Sequence, residues 1–172
     1  RNQGLLHSGA RYAVNDPDAA RECIAENRIL RQIAPHCIEP TDGLFVSLPE
    51  DGSEYRANFI RACGNAGIDA LPLSAREALS LEPRLNPRLI GAVRVPDGAI
   101  DPFMLVVENV RDAESRGARF LIHTEVTGLI REGPRIAGAH VRDRITGQSY
   151  AVAANWVVNA TGAWANLILA MA

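Results

Sequence analysis

The chain has 172 residues, of which 47% are hydrophobic and 22% charged, and its formal net charge at pH 7 is -2. This length predicts one domain or two small ones with a hydrophobic core, and the nearly neutral charge gives no reason to expect binding to nucleic acid. No apolar run in the sequence is long enough for a membrane-spanning helix. All 18 basic residues are Arg, so any phosphate site must use guanidinium groups, which bind phosphate through paired N–H donors.

The cysteines at positions 23, 37 and 63 are an odd number at wide spacing. Neither a CxxC motif nor a Cys/His cluster is present in the sequence, so we expect no zinc or iron–sulfur site. Three reduced thiols in a cytosolic protein are the expected state.

Helices and strands are expected to alternate up to residue 117. Asp16 and Pro17 are a typical N-cap and first helical residue, and an apolar stripe predicts a helix that runs to Ile33. On this helix we expect Asn27 at the edge of the apolar stripe and Arg31 facing water. The other expected elements are a strand at Gly43–Pro49, a helix at Tyr55–Ala66, a helix from Ser74 with Glu77 in a capping box, a strand at Leu89–Val95 and a helix from Asp101 to Arg116.

Shorter apolar runs follow, and most of them predict strands. Three alternating segments at 126–132, 135–142 and 149–153 predict a three-stranded β-meander, with turns at Gly133-Pro134 and Thr146-Gly147. Apolar strands are also expected at Phe120–Ile122 and Asn155–Ala160, and a helix from Trp164 to Met171. The helix at Asp101 followed by the first of these strands predicts one half of a doubly wound sheet, so the expected fold class is mixed α/β.

The first fourteen residues carry the strongest functional signal. Gly4 and Gly9 allow the backbone to approach a ligand closely, and His7, Arg11 and Tyr12 offer a titratable ring, a cationic fork and a phenol. This set suits an anionic, oxygen-rich ligand. An irregular loop whose polar groups satisfy only the local backbone is the alternative.

A second signal is the small-residue turn Asn159-Ala160-Thr161-Gly162. Small residues at the end of a strand let backbone groups reach a ligand, and the N-terminus of the following helix favours a phosphate. An ordinary strand-to-helix turn is the alternative reading.

The ordered segments RNQGLLHSGARYAV, RECIAEN, EPTDGLFVSLPEDG, FIRAC, VPDGAIDPF, EVTGLIREG and VVNATGAW cover nearly the whole chain. Together they resemble the FAD-dependent glycerol-3-phosphate dehydrogenases, and in particular the large catalytic subunit of the bacterial anaerobic enzymes. The resemblance implies an internal piece of a larger flavoenzyme, with the Gly-rich dinucleotide loop before Arg1 and a C-terminal half after Ala172. It further implies a partial Rossmann-like FAD-binding domain at 1–38 and 100–172, and a mixed-sheet substrate domain at 39–99.

The resemblance also implies roles for individual residues. His7 is expected beside the flavin ring as a candidate base, although the main catalytic base is expected downstream of this chain. A neutral structural histidine that donates to a carbonyl is the alternative for His7. Arg11 and Tyr12 are expected to face the substrate phosphate. The residues expected to contact FAD are Arg1, Asn2, Gly4, Leu5, Leu6, Val126, Ala160, Thr161, Gly162 and Trp164. For Val126 and Trp164, packing in a core is the alternative.

The implied activity is oxidation of sn-glycerol 3-phosphate to dihydroxyacetone phosphate, with electrons passing through FAD to a quinone. Membrane-anchoring and electron-transfer subunits are the implied partners, and they would hold the protein at the cytoplasmic face of the cell membrane. Without the Gly-rich loop, this piece is expected neither to retain FAD nor to be active. Two alternatives remain, a flavin-dependent oxidase of another small 2-hydroxy acid such as 2-hydroxyglutarate, and a non-catalytic fragment without cofactor.

Overall fold

The computed structural model describes residues 3–172, apart from the side chain of Ser53, and the chain forms two compact units that divide between Asp112 and Ala113. The expected site residues Arg1 and Asn2 lie outside the described residues. The fold is mixed α/β, as the sequence predicts, and its strands form three antiparallel sheets of three strands each.

The first unit contains most of the helices. In chain order its elements are β1 (Leu5–Leu6), a 3₁₀ turn (Ala10–Tyr12), α1 (Pro17–Ile33), β2 (Ile38–Glu39), β3 (Gly43–Ser47), α2 (Ser53–Asn65), β4 (Leu71–Ser74), α3 (Ala75–Leu81), β5 (Gly91–Val95), β6 (Gly98–Ile100) and α4 (Pro102–Ser115). The last of these helices crosses the division between the two units.

The helices α1, α3 and α4 begin where the sequence predicts because their N-caps are local signals, whereas α2 begins at Ser53, two residues before the expected Tyr55. The Asp16 carboxylate accepts a hydrogen bond from Ala19 N at 3.1 Å, and the Asp101 carboxylate accepts two from first-turn N–H groups at 2.9 Å each. Ser74 and Glu77 form the expected capping box, in which Ser74 Oγ accepts from Glu77 N and Glu77 accepts from Ser74 N. The hydrogen bonds from the Ser74 side chain and backbone lower the pKa of Glu77.

Two sheets of the first unit meet at one turn. The strand β5 is the centre of the sheet β3-β5-β4, and β6 is the centre of the sheet β1-β6-β2. Pro96 and Asp97 join these two central strands, so this turn connects both sheets. The main core packs α1 and α2 against β5 and includes Ile24, Phe59, Cys63, Val93 and Val95. A smaller core cluster holds Leu6 with Ala34, Cys37 and Ile100.

The second unit is built on the predicted meander. Its strands are β7 (Thr124–Glu132), β8 (Arg135–Asp143) and β9 (Ser149–Ala153), paired in the order β7-β8-β9. A 3₁₀ turn (Gly162–Trp164) and the short helix α5 (Ala165–Leu169) follow, so the expected helix from Trp164 to Met171 is shorter than predicted.

Two predicted strands are wrong. Phe120–Ile122 and Asn155–Ala160 are irregular, and the apolar side chains of Ile122, Trp156 and Val158 are 76%, 87% and 85% exposed. A strand exists only when a neighbouring strand pairs with it, and within residues 3–172 neither segment has such a partner. The expected half of a doubly wound sheet is therefore not formed by the described residues.

No helix in residues 3–172 combines the length and the apolar character that a bilayer crossing requires.

Gly9 determines how closely the opening stretch approaches α1. Its backbone is left-handed, with φ 88° and ψ 0°, and an added Cβ would lie 2.7 Å from both Ala20 O and Cys23 Cβ. The position therefore requires glycine both for its backbone conformation and for its close contact with the helix.

We predict that Gly9→Ala destabilises the full-length protein much more than Gly67→Ala. Gly67 has a similar φ of 80° but open space around its Cβ position, so its substitution costs only the backbone term of about 1–2 kcal/mol. Overpacking against α1 adds about 1–3 kcal/mol for Gly9→Ala. Thermal unfolding midpoints of the two variants measure the difference, and equal midpoints would contradict the close contact.

Candidate functional site

The opening stretch folds back on itself and brings its polar side chains to one cavity. Leu5 and Leu6 pair with Ala99 and Gly98 of β6, and the left-handed Gly9 then turns the chain into the 3₁₀ turn Ala10–Tyr12. A cavity of about 360 Å³ opens beside this turn. It is lined by Leu5, His7, Ala10, Arg11, Phe45 and Asp97.

His7 lines this cavity and has one unsatisfied ring nitrogen. Its Nδ1 atom is buried and has no hydrogen-bond partner among the described residues. Buried polar atoms in native proteins are nearly always hydrogen-bonded, so this unpaired nitrogen marks His7 as a residue whose role is not explained by the described contacts. A neutral structural histidine that donates to a carbonyl is the alternative role of His7, and Nδ1 makes no such hydrogen bond in residues 3–172.

Arg11 and Tyr12 lie next to His7 in different environments. Tyr12 packs against the main core, and the His7 ring meets it edge-on with centroids 5.9 Å apart. Arg11 is exposed at the cavity, and its guanidinium carbon lies 5.3 Å from the Tyr12 ring centroid. No carboxylate in the described part of the chain forms an ion pair with Arg11, so its charge is available to an anionic ligand.

A buried polar clamp of Asn27, Arg31 and Asp97 fixes the opening stretch against the turn between β5 and β6. Asn27 Nδ2 donates to the carbonyls of Pro96, His7 and Leu6 at 3.2, 3.3 and 3.5 Å. Arg31 Nε donates to Asn27 Oδ1 at 2.9 Å, and Arg31 also donates to the carbonyls of Pro96 and Asp97 at 3.2 and 2.9 Å. The Asp97 carboxylate accepts from the backbone N–H of Ser8 at 2.6 Å.

This clamp corrects two expectations for α1. Asn27 is only 1% exposed and does not lie at the edge of the apolar stripe, and Arg31 points toward the β5–β6 turn and not to water. Neither Asn27 nor Asp97 is among the site residues that the sequence predicts. An amide in the apolar stripe of a helix was the available signal, because such a group is buried only with partners.

The other residues of the first unit that are expected to contact FAD are Gly4, Leu5 and Leu6. The carbonyl of Gly4 accepts from Ile100 N at 2.9 Å, and Gly4 has a positive φ of 73°. The Leu6 side chain is buried in the smaller core cluster, whereas Leu5 is 44% exposed and lines the cavity.

The remaining expected FAD contacts lie in the second unit. Val126 is half-buried in β7, where it pairs with Val141. The Asn159 side chain organises the small-residue turn, since its Oδ1 accepts from Thr161 Oγ1 at 2.7 Å and its Nδ2 donates to Ala165 O at 3.0 Å. Ala160 and Gly162 are exposed in this turn, and Trp164 is 58% exposed. The turn is ordered by its own hydrogen bonds.

Burial perturbs a thiol behind the cavity. Cys63 is fully buried in the main core, and burial, with a smaller contribution from the charge of Asp97, raises its pKa to about 11. Within residues 3–172, no group of three or more His, Cys, Asp or Glu side chains is arranged to hold a metal ion.

Comparison with known proteins identifies the family. The sequence matches the family of FAD dependent oxidoreductases over residues 1–172. The chain belongs to this family. Its fold is also that of a solved relative, the L-proline dehydrogenase from P. horikoshii, with a TM-score of 0.79 and 28% identity over 96% of this chain and 44% of that chain.

Higher identity links the chain to a narrower group of relatives, each of them one subunit of an anaerobic glycerol-3-phosphate dehydrogenase. It is 57% identical over 164 residues to such a subunit of Escherichia coli strain K12, covering 95% of this chain. It is 48% identical over 177 residues to the corresponding subunit of Haloferax volcanii, covering 98% of this chain. The chain spans about 30% of the length of each relative.

We predict that Cys63 makes the protein less stable at high pH. Its pKa is 9.0 when unperturbed and about 11 in the fold, so between these values the unfolded chain releases a proton that the folded chain retains. The contribution of the neutral Cys63 thiol to the free energy of unfolding is therefore fully present below pH 9. It is lost as the pH rises toward 11. The loss attributable to Cys63 has an upper limit of about 1.4 kcal/mol per pH unit.

Denaturant titrations between pH 8 and 10.5, on the natural protein and on Cys63→Ala, test this prediction. The free energy of unfolding of Cys63→Ala should fall less steeply with pH. Parallel curves for the two proteins would show that the thiol is not perturbed by burial.

Proposed function

We propose that this chain is part of the flavoprotein subunit of a glycerol-3-phosphate dehydrogenase, which oxidises sn-glycerol 3-phosphate to dihydroxyacetone phosphate and passes the electrons through FAD to a quinone. The 57% identity to the Escherichia coli relative over 95% of this chain carries the proposal. The activity belongs to the whole protein, since the chain spans only 30% of that relative.

The cavity beside the opening stretch fits one side of a flavin and substrate site. Its volume of about 360 Å³ lies within the range of small-molecule sites, and it combines the apolar walls of Leu5 and Phe45 with Arg11 and the His7 side chain. Gly4, Leu5 and Leu6 would hold the ring and ribityl chain of FAD, largely through backbone groups. When bound, FAD accepts the hydride that leaves C2 of the substrate.

The side chains of the opening stretch have complementary tasks in this proposal. Arg11 binds the substrate phosphate through paired N–H donors. The Tyr12 ring supports the Arg11 guanidinium through a cation–π contact. The His7 ring accepts a hydrogen bond, or the proton, of the substrate hydroxyl. A further base from the rest of the protein is compatible with this arrangement.

We assign residues 1–38 and 100–172 to the FAD-binding domain and residues 39–99 to the substrate domain. In the FAD-binding part, the backbone of Val126 would pair with the adenine edge. Ala160, Thr161, Gly162 and Trp164 would lie along the ADP half. The exposure of Gly162 and its positive φ of 59° support this assignment, because both leave backbone groups open to a ligand.

Other subunits are expected, because the most similar relatives are each named as one lettered subunit of their enzyme. We propose that these partners transfer electrons and anchor the complex to the cytoplasmic face of the membrane.

Measurements on the full-length protein distinguish the proposal from two alternatives. A flavin-dependent enzyme for 2-hydroxyglutarate or another 2-hydroxy acid would share the fold but prefer a substrate without a phosphate. A non-catalytic protein would be purified without a flavin absorption spectrum. Turnover of glycerol 3-phosphate, 2-hydroxyglutarate and L-proline with an artificial electron acceptor separates these cases, and the proposal requires preference for glycerol 3-phosphate.

We predict that Arg11→Ala raises the KM for glycerol 3-phosphate in the full-length enzyme. A charge-assisted hydrogen bond contributes about 1.5–3 kcal/mol, which corresponds to a rise of roughly 10- to 150-fold. The control is Arg21→Ala, because Arg21 is an exposed residue of α1 whose only described ion pair is with Asp18. An Arg11→Ala enzyme with the KM of the control would remove Arg11 from the phosphate site.

A further inference from the structure

The His7–Ser8 peptide unit is held at both of its polar ends by side chains that are distant in sequence. Its carbonyl, that of His7, accepts from Asn27 Nδ2 at 3.3 Å, and its N–H, that of Ser8, donates to the Asp97 carboxylate at 2.6 Å. Two hydrogen bonds to opposite ends of one planar unit fix its orientation. They thereby fix ψ of His7 and φ of Ser8.

The donor and acceptor sides of Asn27 are determined by its neighbours. Arg31 offers only N–H groups, so the Asn27 atom that faces it at 2.9 Å must be the carbonyl oxygen. The amide nitrogen then faces the carbonyls of Leu6, His7 and Pro96, which offer only acceptors. Asn27 therefore cannot rotate its amide without losing all four hydrogen bonds.

Two glycines beside the clamp, Gly43 and Gly98, leave space for its side chains because they carry no Cβ. An added Cβ at Gly43 would lie 2.7 Å from Asp97 Oδ2, and one at Gly98 would lie 3.1 Å from an Arg31 terminal nitrogen. Ser8 is 0% exposed and Asp97 is 8% exposed, so water competes little for these hydrogen bonds.

We infer that Asn27 and Asp97 are positioning residues, which hold the His7 side chain at the wall of the cavity by fixing the His7–Ser8 peptide unit. This inference deepens the proposed function and rests on it for the identity of the substrate. In this role both residues act through His7, and Asp97 in addition lines the cavity. A small misorientation of a positioned group can lower the turnover rate by as much as roughly 100-fold.

A double-mutant cycle with His7 tests the inference on the full-length, flavin-loaded enzyme. We expect Asn27→Ala to lower kcat per bound flavin by roughly ten- to a hundred-fold in the natural protein. In the His7→Ala background the same change should lower kcat by less than about two-fold, because the group that Asn27 positions is already absent. Equal factors in both backgrounds would overturn the inference and leave Asn27 with a structural role alone.

Variants of Asp97 test the other end of the peptide unit and keep the inference testable if Asn27→Ala does not fold. Asp97→Asn keeps an oxygen that accepts from Ser8 N–H and should retain most of kcat. Asp97→Leu removes the acceptor and should lower kcat by about as much as Asn27→Ala does. Equal kcat values for the two Asp97 variants would contradict the role of this hydrogen bond. Asn109→Ala is the control, because Asn109 is exposed on α4 and bonds only within its own helix.

Hydrogen–deuterium exchange gives a readout that does not depend on the substrate. The peptide spanning residues 5–12 should exchange faster in Asn27→Ala and Asp97→Leu than in the natural protein and in Asn109→Ala. Unchanged exchange would overturn the clamp itself. If the natural enzyme oxidises another substrate and not glycerol 3-phosphate, the proposed function fails, and the cycle is then measured with that other substrate.

Discussion

The structure of the first unit depends on the hydrogen bonds made by an irregular stretch of backbone. Residues 7–9 lie between a two-residue strand and a 3₁₀ turn, so regular secondary structure leaves several of their polar groups unpaired. In a buried segment each unpaired group costs free energy comparable to a lost hydrogen bond. The side chains of Asn27 and Asp97 supply the missing partners, which is why a segment without ladder bonds can be held in the core.

The position of the β5–β6 turn gives these hydrogen bonds a wider consequence. Asp97 lies between the central strands of two sheets, and Asn27 and Arg31 lie one turn apart on α1. The clamp therefore joins the helix, both sheets and the opening stretch at one place. The cavity lies beside the clamp, since its lining includes Phe45 of β3, Asp97 of the β5–β6 turn and His7 of the opening stretch.

The sequence predicts those features whose causes are local. Asp16-Pro17 and the Ser74–Glu77 box satisfy the first N–H groups of their own helices, and the turn at Gly133 directs the meander, so each can be recognised within a few residues. Phe120–Ile122 is apolar enough for a strand, but its pairing depends on a neighbour that the described chain does not provide. The clamp could not be predicted from the sequence either, because Asp97 and Ser8 are 89 positions apart. His7 and Arg11 could be grouped from the sequence because one short stretch contains both, whereas the expectation for Leu5 comes from the family resemblance.

The opening stretch is held through its backbone, whereas its candidate functional groups are side chains. Asn27 and Asp97 bond to the backbone of residues 6–8 and not to the side chains of His7 or Arg11. The hydrogen bonds that hold the backbone of this stretch therefore do not depend on the side chains at positions 7 and 11. Under the proposed function, the groups that the stretch presents to the cavity would decide the substrate class. In this chain the presented cation is a guanidinium with no carboxylate partner among the described residues, and an anionic substrate is the chemistry that it fits.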